Sequence, residues 1–206
     1  MNDQHLFAHA LLDQFETGIG GSNTDLTWEG SAWIGNDRQR LVFDSEGTAA
    51  GSRGRDSQNE LLYDRPLGSY FDWQAGVRYD LGSGPGRGWA ALGIAGLAPY
   101  FVQTALTAYV SDAGHYAARL RLAVDEPVTQ RLIAEPQLEI NAYSRGPSQL
   151  ETGLRLRYEI SRKFAPYLGL TYGSDFGHGI DAAAAAPAGA WPGNGLRLAL
   201  GLHAWL

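Results

Sequence analysis

The stretch Arg131–Ile160, RLIAEPQLEINAYSRGPSQLETGLRLRYEI, alternates apolar and polar residues on both sides of a central Gly/Pro turn. In its second half, Leu154 and Leu156 point to one side, whereas Arg155 and Arg157 point to the other. A period of two residues is typical of a β-strand. Each half is about 11 residues long, the length that a tilted strand needs to cross a bilayer. The stretch therefore predicts a hairpin of two long strands.

Two classes of protein contain strands with this pattern. In a soluble sandwich the leucine face forms the core and the charged face is wet. In a membrane barrel the leucines face lipid and the charges line the lumen. The barrel interpretation predicts the orientation of six residues: Leu138, Leu156 and Leu198 face lipid, and Glu139, Arg157 and Arg197 face inward.

The composition favours the barrel. A chain of 206 residues predicts one domain, residues 1–206. Charged residues make up only 18%, below the roughly 25% of ordinary globular proteins, yet no apolar run approaches the roughly 20 residues of a membrane helix. The 27 glycines and 11% aromatic residues suit a barrel of alternating strands. A net charge of −6 gives no support to nucleic-acid binding, and the absence of cysteine excludes disulfides and thiolate metal sites.

The same alternation recurs along the chain and gives about 12 strands, an even number as in bacterial outer-membrane barrels. Every second connection is long or glycine-rich: Gly18–Asp25, Thr48–Gln58, Gly82–Gly88, Ser111–His115, the residues around Pro147, and Gly173–Asn194. The connections between them are short and lie around Asn36, Pro66, Pro99, Pro127 and Arg162. This predicts an all-β, transmembrane, antiparallel up-and-down β-barrel. We expect short periplasmic turns, longer extracellular loops and periplasmic termini.

Two of the predicted strands do not show which of their faces is the inner one. In His5–Thr17, Leu11 and Phe15 share a side with His9 and Asp13, so the two faces are mixed. In Trp89–Leu97, both faces are small and apolar. The orientation of these strands therefore stays open at this point.

Six blocks of sequence carry a family resemblance: LLDQFE at Leu11–Glu16, AWIGNDRQRL at Ala32–Leu41, DWQAGVRYDL at Asp72–Leu81, GLAPY at Gly96–Tyr100, TQRLIAEPQLEINAYS at Thr129–Ser144 and ETGLRLRYEISRKFAPYLGL at Glu151–Leu170. They resemble the copper resistance protein B family, outer-membrane proteins of bacterial copper-resistance operons. The resemblance implies an outer-membrane barrel that binds copper or mediates its passage across the outer membrane, and we expect this barrel to be a monomer. Its implied partners are copper, outer-membrane lipid and a periplasmic copper-binding protein.

One part of the family pattern is absent from this sequence. Family members usually carry a Met/His-rich segment before the barrel, which is a soft-ligand tract suited to Cu(I). Here Met1 is the single methionine, and the residues after it do not form the basic and apolar segments of a signal peptide. We expect a mature or trimmed chain, or a member of the family that lacks the tract.

The first candidate site is a set of charged residues with inward parity, the lumen charge network. Enclosed charges must pair, because an isolated buried charge is very costly. The network has two possible roles: it fills and stiffens the lumen, or it lines a path for cations. Its predicted members are Asp72, Arg78, Asp80, Arg119, Arg121, Asp125, Glu135, Glu139, Glu151, Arg155, Arg157, Glu159 and Arg197.

The second candidate is a copper site where the barrel closes. A sheet that spans a membrane cannot leave an edge in lipid, so the last strand must pair with the first. This brings His203 close to His5 and His9, with Asp13 as a fourth ligand. Imidazole and carboxylate ligands suit Cu(II). Since His5 and His9 lie about 13 Å apart along a strand, we expect His203 to share an ion with only one of them.

We do not expect an enzyme. A lipid-hydrolysing barrel needs a serine, a histidine and an orienting polar group within hydrogen-bond reach, and neither Ser31 nor Ser161 lies in a recognisable nucleophile motif. The alternatives to a copper protein are a lipid-active barrel enzyme and a structural barrel with a plugged lumen.

Overall fold

The computed structural model of the chain describes residues 6–19, 25–50, 54–82, 86–144, 148–161, 163–176 and 195–205. Within them, twelve long strands form one antiparallel sheet. The strands are β1 Phe7–Ile19, β2 Asp25–Asn36, β3 Gln39–Ala50, β4 Gly54–Pro66, β5 Phe71–Leu81, β6 Arg87–Ala98, β7 Val102–Ser111, β8 Tyr116–Ala123, β9 Leu132–Tyr143, β10 Ser148–Tyr158, β11 Phe164–Phe176 and β12 Gly195–Trp205. A 3-10 turn, Pro99–Phe101, joins β6 to β7. A two-residue segment, Glu126–Pro127, pairs with the start of β9.

Each strand pairs with the next, and the last strand, β12, pairs with the first, β1, so the sheet is closed. Closure leaves no unpaired edge in lipid, and the predicted up-and-down antiparallel barrel of 12 strands is confirmed. We call the end where β1 begins and β12 ends the terminus end, and the other the opposite end. No helix among the described residues is long and apolar enough to cross a membrane.

The two faces of the sheet differ as predicted. The side chains of Leu156 and Leu198 are 40% and 44% exposed on the outer surface, whereas Arg157 and Arg197, their neighbours in sequence, are 7% and 8% exposed. Leu138 and Glu139 are both half-buried, and Glu139 bonds to Arg121 inside the barrel. Leucine side chains on an outer surface are favourable only where the surroundings are apolar, so this surface is suited to contact with lipid.

The strands extend further at the opposite end than the sequence predicts. The predicted loop Thr48–Gln58 is wrong for most of its length, since β3 runs to Ala50 and β4 begins at Gly54. Its glycines and polar residues suggested a loop, but Gly47 is needed within the strand. A Cβ there would lie 2.2 Å from Cζ2 of Trp28, so the glycine makes room for the indole ring.

The predicted loop Gly173–Asn194 also begins later than expected. Residues Gly173–Phe176 continue β11, where Gly173 pairs with Gly195. Residues 177–194 lie outside the described residues.

A β-bulge explains the mixed faces of the first strand. Between Leu12 and Phe15 of β1, the two residues Asp13 and Gln14 stand opposite one residue of β12. Both bulge residues have lumen contacts: Asp13 with Arg155, and Gln14 with Glu29. The bulge inverts the alternation, so odd residues face inward before it and even residues after it.

An aromatic and aliphatic cluster fills part of the interior between β3 and β8. It comprises Val42, Leu62, Trp89, Ala91, Tyr109 and Ala117, with Trp33 and Tyr143 packed against it. Trp89 and Ala91 therefore face inward, while Ala90 and Leu92 are exposed on the outer face. This determines the orientation of β6, which its apolar sequence left open.

Candidate functional site in the barrel lumen

The lumen contains a cavity of about 970 Å³. It extends from Gln103 and Asp125 at the terminus end to Glu46, Tyr109 and Arg121 in the middle of the barrel. Many of its lining residues are acidic: Asp13, Glu29, Asp44, Glu46, Glu60, Asp125, Glu135, Glu139, Glu151 and Glu159. Arg119, Arg121 and Arg157 also line it, so the ten carboxylates outnumber the arginines. An excess of one sign of charge enclosed by low-dielectric walls favours ions of the opposite sign, here cations.

The deep end of the cavity is crossed by ion pairs between opposite walls. Arg121 of β8 donates from Nη1 to Oε1 of Glu29 on β2 at 2.6 Å, and from Nη2 to Glu46 on β3. Its Nε donates to Oε2 of Glu139 on the neighbouring β9 at 2.8 Å. In a ring of twelve strands, β2 and β8 are separated by five strands on either side. These contacts therefore span the full width of the lumen.

Arg119 lies one inward position before Arg121 on β8, on the side of the opposite end, and forms a second crossing. It donates from Nη2 to Oε1 of Gln58 at 2.8 Å and from Nε to Oδ1 of Asn141 at 3.0 Å. It also pairs with Glu46, and its Nη1 lies 3.7 Å from Oε1 of Glu60. A guanidinium with this many acceptors is firmly placed, because its five donors lie in a fixed plane.

A second group of ion pairs lies against β9 to β11. Glu135 accepts from both Arg155 and Arg157, at 3.3 and 3.0 Å. Arg157 also donates to Asp125 at 2.9 Å, and Arg155 lies over the ring of Tyr167. Each charged group is matched by an opposite charge, which is what a buried ionised side chain requires.

Two further predicted arginines pair near the opposite end. Arg78 holds Asp80 through two hydrogen bonds of 2.6 and 3.0 Å, and the Trp89 indole donates to the same carboxylate at 2.8 Å. Arg197 lies 3.3 Å from Glu16. At the terminus end, Asp72 is paired with Arg40, a residue that the sequence did not single out.

Two predicted members of the network, Glu151 and Glu159, form no ion pair with a described residue. Both line the cavity. Asp44, which was not predicted, is in the same situation on the β3 wall. In the described part of the chain, seven arginines and eleven carboxylates take part in ion pairs: Arg40, Arg78, Arg119, Arg121, Arg155, Arg157 and Arg197 with Asp13, Glu16, Glu29, Glu46, Glu60, Asp64, Asp72, Asp80, Asp125, Glu135 and Glu139. The lumen therefore carries an excess of negative charge.

Sequence reasoning missed the carboxylates on the β1–β4 wall. Glu29 and Glu46 accept from Arg121 across the lumen, Glu60 accepts from Tyr109 of β7, and Glu16 pairs with Arg197 of the adjacent β12. Glu29 and Glu46 stand opposite each other in the β2–β3 register. The alternation of their strands is consistent with inward positions, but the glycines and tryptophans around them obscure that alternation in the sequence.

The predicted copper residues are partly brought together. The imidazole Nδ1 of His203 lies 3.2 Å from Oδ1 of Asp13 and 3.2 Å from its backbone oxygen. Both atoms are acceptors, so Nδ1 donates to them, and Nε2 is the ring nitrogen on the other side, away from Asp13. His9 faces inward but stacks on Trp33, with ring centroids 6.2 Å apart. His5 lies outside the described residues.

The pair of Asp13 and His203 does not form a complete metal centre by itself. The second oxygen of Asp13 lies 3.5 Å from Nη1 of Arg155. Among the residues that the structure describes, no group of three His, Cys, Asp or Glu side chains is arranged to hold a metal ion. Metal-bound histidines commonly donate their other ring N–H to a carboxylate, and Asp13 stands in that relation to His203.

The two serines considered for catalysis lie on or next to strands near this pair but make no hydrogen bond with it: Ser31 stands opposite Leu11 of β1, and Ser161 precedes β11, whose Ala165 stands opposite His203. Ser31 is on β2, opposite Asp44 of β3, and Ser161 is an exposed residue that forms an isolated bridge with Phe164. Neither serine makes a hydrogen bond with a described histidine. The absence of an enzymatic function stays a prediction.

Comparison with known proteins identifies the family. A sequence family described as "Copper resistance protein B precursor (CopB)" matches residues 6–206. The "Copper resistance protein B" of Escherichia coli is 38% identical over 182 residues, which are 84% of this chain and 62% of that protein. The homologue from Pseudomonas syringae pv. tomato is 34% identical over 190 residues, 88% of this chain and 65% of that protein. The chain thus spans less than two thirds of the length of these relatives.

Solved structures show the same fold in outer-membrane proteins. The KdgM porin has a TM-score of 0.58 at 11% identity, and covers 96% of this chain and 98% of its own. The NanC porin has a TM-score of 0.59 at 12% identity, and covers 96% of this chain and 99% of its own. Identities this low show the fold alone. The sequence match over residues 6–206 and the two relatives show that this outer-membrane β-barrel belongs to the copper resistance protein B family.

Proposed function

We propose that the barrel takes copper ions into its lumen cavity as part of a bacterial copper-resistance system, and binds them there or lets them pass across the outer membrane. The observation that carries this proposal is the acidic lining of the cavity, where Asp44 and Glu151 have no arginine partner among the described residues. In this arrangement a copper ion supplies the positive charge that the lumen lacks.

Within the cavity, His203 is the best-placed ligand. Its Nε2 lies on the side of the ring away from Asp13, and Asp13 fixes the ring through Nδ1. His5 and His9 remain the further predicted ligands of this site, with Asp13 in the outer sphere or as a fourth ligand. Imidazole and carboxylate donors favour Cu(II) over Cu(I).

The proposal includes a topology and a set of partners. Both termini face the periplasm, so the cavity at the terminus end receives copper from that side, delivered by a periplasmic copper-binding protein. The barrel acts as a monomer surrounded by outer-membrane lipid and has no catalytic centre. The resemblance in sequence to copper resistance proteins supports these points, and the charge of the cavity supports the cation as cargo.

The test is a Cu²⁺ titration of the detergent-folded barrel, with calorimetric detection. We expect the parent barrel to bind Cu²⁺, and a variant with Asp44→Asn and Glu151→Gln to bind it more weakly. Glu126→Gln is the matched control, because Glu126 is exposed and does not line the cavity. A parent barrel that binds no Cu²⁺, or equal binding by all three proteins, contradicts the proposal.

A second function is favoured by one observation. The crossings by Arg119 and Arg121 tie opposite walls together, as expected of a structural barrel with a plugged lumen. The same titration separates the two functions, since a structural plug has no reason to bind copper.

A further inference from the structure

The two arginines that cross the lumen differ in how firmly they are held. The side chain of Arg119 is 8% exposed, and it has acceptors on β3, β4 and β9. The side chain of Arg121 is 34% exposed and borders the cavity, so it has free volume beside it. Arg121 is therefore the part of the crossing that can move without disturbing packed neighbours.

The acceptors of Arg121 form a ring around its guanidinium. Glu29, Glu46 and Glu139 come from three different strands, and each contacts a different nitrogen. Two of the three carboxylates lie on the wall opposite β8. If the guanidinium withdrew into the cavity, Glu29 would lose this arginine partner, whereas Glu46 and Glu139 would keep Arg119.

The lumen beyond the crossing is polar and incompletely satisfied. Nε2 of Gln58, the hydroxyl of Tyr143 and Oε1 of Gln149 are buried and have no hydrogen-bond partner among the described residues. Buried polar atoms are nearly always bonded, and where protein groups are missing, water takes their place. These atoms indicate sites for water toward the opposite end of the lumen, and one of the three residues, Gln58, also lines the cavity.

We propose that Arg121 is the gate of the lumen: its guanidinium narrows the bore at rest, and a divalent cation that arrives from the cavity displaces it from Glu29 and Glu46. The displacement widens the bore beside Arg119, which stays in place. A divalent ion brings twice the charge of a guanidinium to the same carboxylates in a smaller volume, so it competes effectively for them. The identity of that ion as copper rests on the proposed function, whereas the gate itself does not.

The gate is tested by KCl conductance of the purified barrel in planar lipid bilayers. In Arg121→Gln the crossing to Glu29 is lost, and we expect conductance to rise about tenfold, which corresponds to a barrier lower by about 1.4 kcal/mol. Glu29→Gln removes the contact from the other wall and should raise conductance in the same direction. Two variants on opposite walls keep the test valid if one of them folds poorly.

Arg40→Gln is the matched control. The Arg40 side chain is also 34% exposed and also pairs with two carboxylates. These carboxylates, Asp64 and Asp72, lie on β4 and β5, the next two strands after that of Arg40. Arg40 does not line the cavity and does not span the lumen, so the conductance of the Arg40→Gln barrel should equal that of the parent. The gate is overturned if Arg121→Gln and Glu29→Gln conduct like the parent, or if Arg40→Gln conducts as much as they do.

Cu²⁺ titration of the same proteins separates the gate from the copper function. Raised conductance in Arg121→Gln, with no Cu²⁺ binding by either barrel, supports the gate and contradicts the proposed function. Cu²⁺ binding with conductance unchanged in both gate variants supports the function and overturns the gate. If both hold, submillimolar Cu²⁺ should raise the KCl conductance of the parent but not that of Arg121→Gln.

Discussion

Nδ1 of His203 lies 3.2 Å from Oδ1 of Asp13, and this contact joins the last strand of the barrel to the first. It falls at the β-bulge, where Asp13 and Gln14 together oppose one residue of β12. Without the extra residue, the alternation of β1 would place Gln14 outward, in lipid. The bulge thus turns both Asp13 and Gln14 toward the lumen and places Asp13 beside His203, the histidine of the described residues that borders the cavity.

The first prediction concerns copper binding at this seam. His203→Ala should lower the affinity for Cu²⁺ by about tenfold or more, because it removes the Nε2 donor. Asp13→Asn should lower it by about 10- to 100-fold, the usual effect of losing a group that orients a metal-bound histidine. The measurement is Cu²⁺ titration of the folded barrel, together with a combined His5→Ala/His9→Ala variant.

His115→Ala serves as the control, since His115 lies in the connection after β7 and does not line the cavity. If His203→Ala and the His5/His9 variant both bind copper like the parent, the seam is not the site. Copper would then have to bind the lumen carboxylates or a part of the protein outside this chain.

The second prediction concerns stability. Arg155 is buried, and its removal leaves Asp13 and Glu135 without one of their partners. Arg155→Ala should therefore lower the free energy of unfolding by about 3–5 kcal/mol, as expected when one member of a buried ion pair is deleted. The measurement is urea unfolding of the barrel in lipid vesicles.

Arg40→Ala provides the comparison. Arg40 is partly exposed, and Asp64 retains the hydrogen bond from Gln74 at 3.1 Å when Arg40 is removed. We expect a loss of about 1 kcal/mol or less for this pair. Equal losses for Arg155→Ala and Arg40→Ala would show that burial of the network does not determine its contribution to stability.

The sequence was most informative where alternation is unbroken. In Gly195–Trp205, every second residue from Leu196 is apolar, and the structure places the four leucines outward and Arg197 and His203 inward. A strand that separates lipid from a polar lumen must keep this period, so its orientation is encoded locally. The same reasoning failed for β1, because no residue type marks a bulge.

The partners of the lumen charges were much harder to predict. Arg121 and Glu29 lie 92 residues apart in sequence and on opposite walls. Their contact depends on how far each strand is shifted along its neighbour, summed around the ring, and that shift is absent from the pattern of any single strand. Sequence alone therefore predicted that Arg121 faces the lumen, but not that it crosses it.

The third prediction concerns a glycine that makes room for an aromatic ring. A Cβ at Gly201 would lie 2.3 Å from Cζ of Tyr167, whose hydroxyl donates to Glu16 at 2.9 Å. Gly201→Ala should displace that ring and lower the free energy of unfolding by about 1–3 kcal/mol, the usual cost of overpacking.

Gly195→Ala is the control for this prediction, because a Cβ there meets nothing within 4 Å. In a Tyr167→Ala background, Gly201→Ala should be nearly neutral, since the clashing ring is gone. A full loss of stability in that background would mean that Gly201 is needed for its backbone and not for the tyrosine.

The last prediction concerns which way the barrel faces. The chain has no cysteine, so single cysteines can be labelled without a background. Asp112 is exposed after β7 at the opposite end, and Ser161 is exposed between β10 and β11 at the terminus end. With periplasmic termini, Asp112→Cys should react with a membrane-impermeant maleimide on intact cells, and Ser161→Cys only after the outer membrane is opened. The reverse pattern would place the acidic cavity on the cell surface, where it would meet external copper first, and would make delivery by a periplasmic protein impossible from that end.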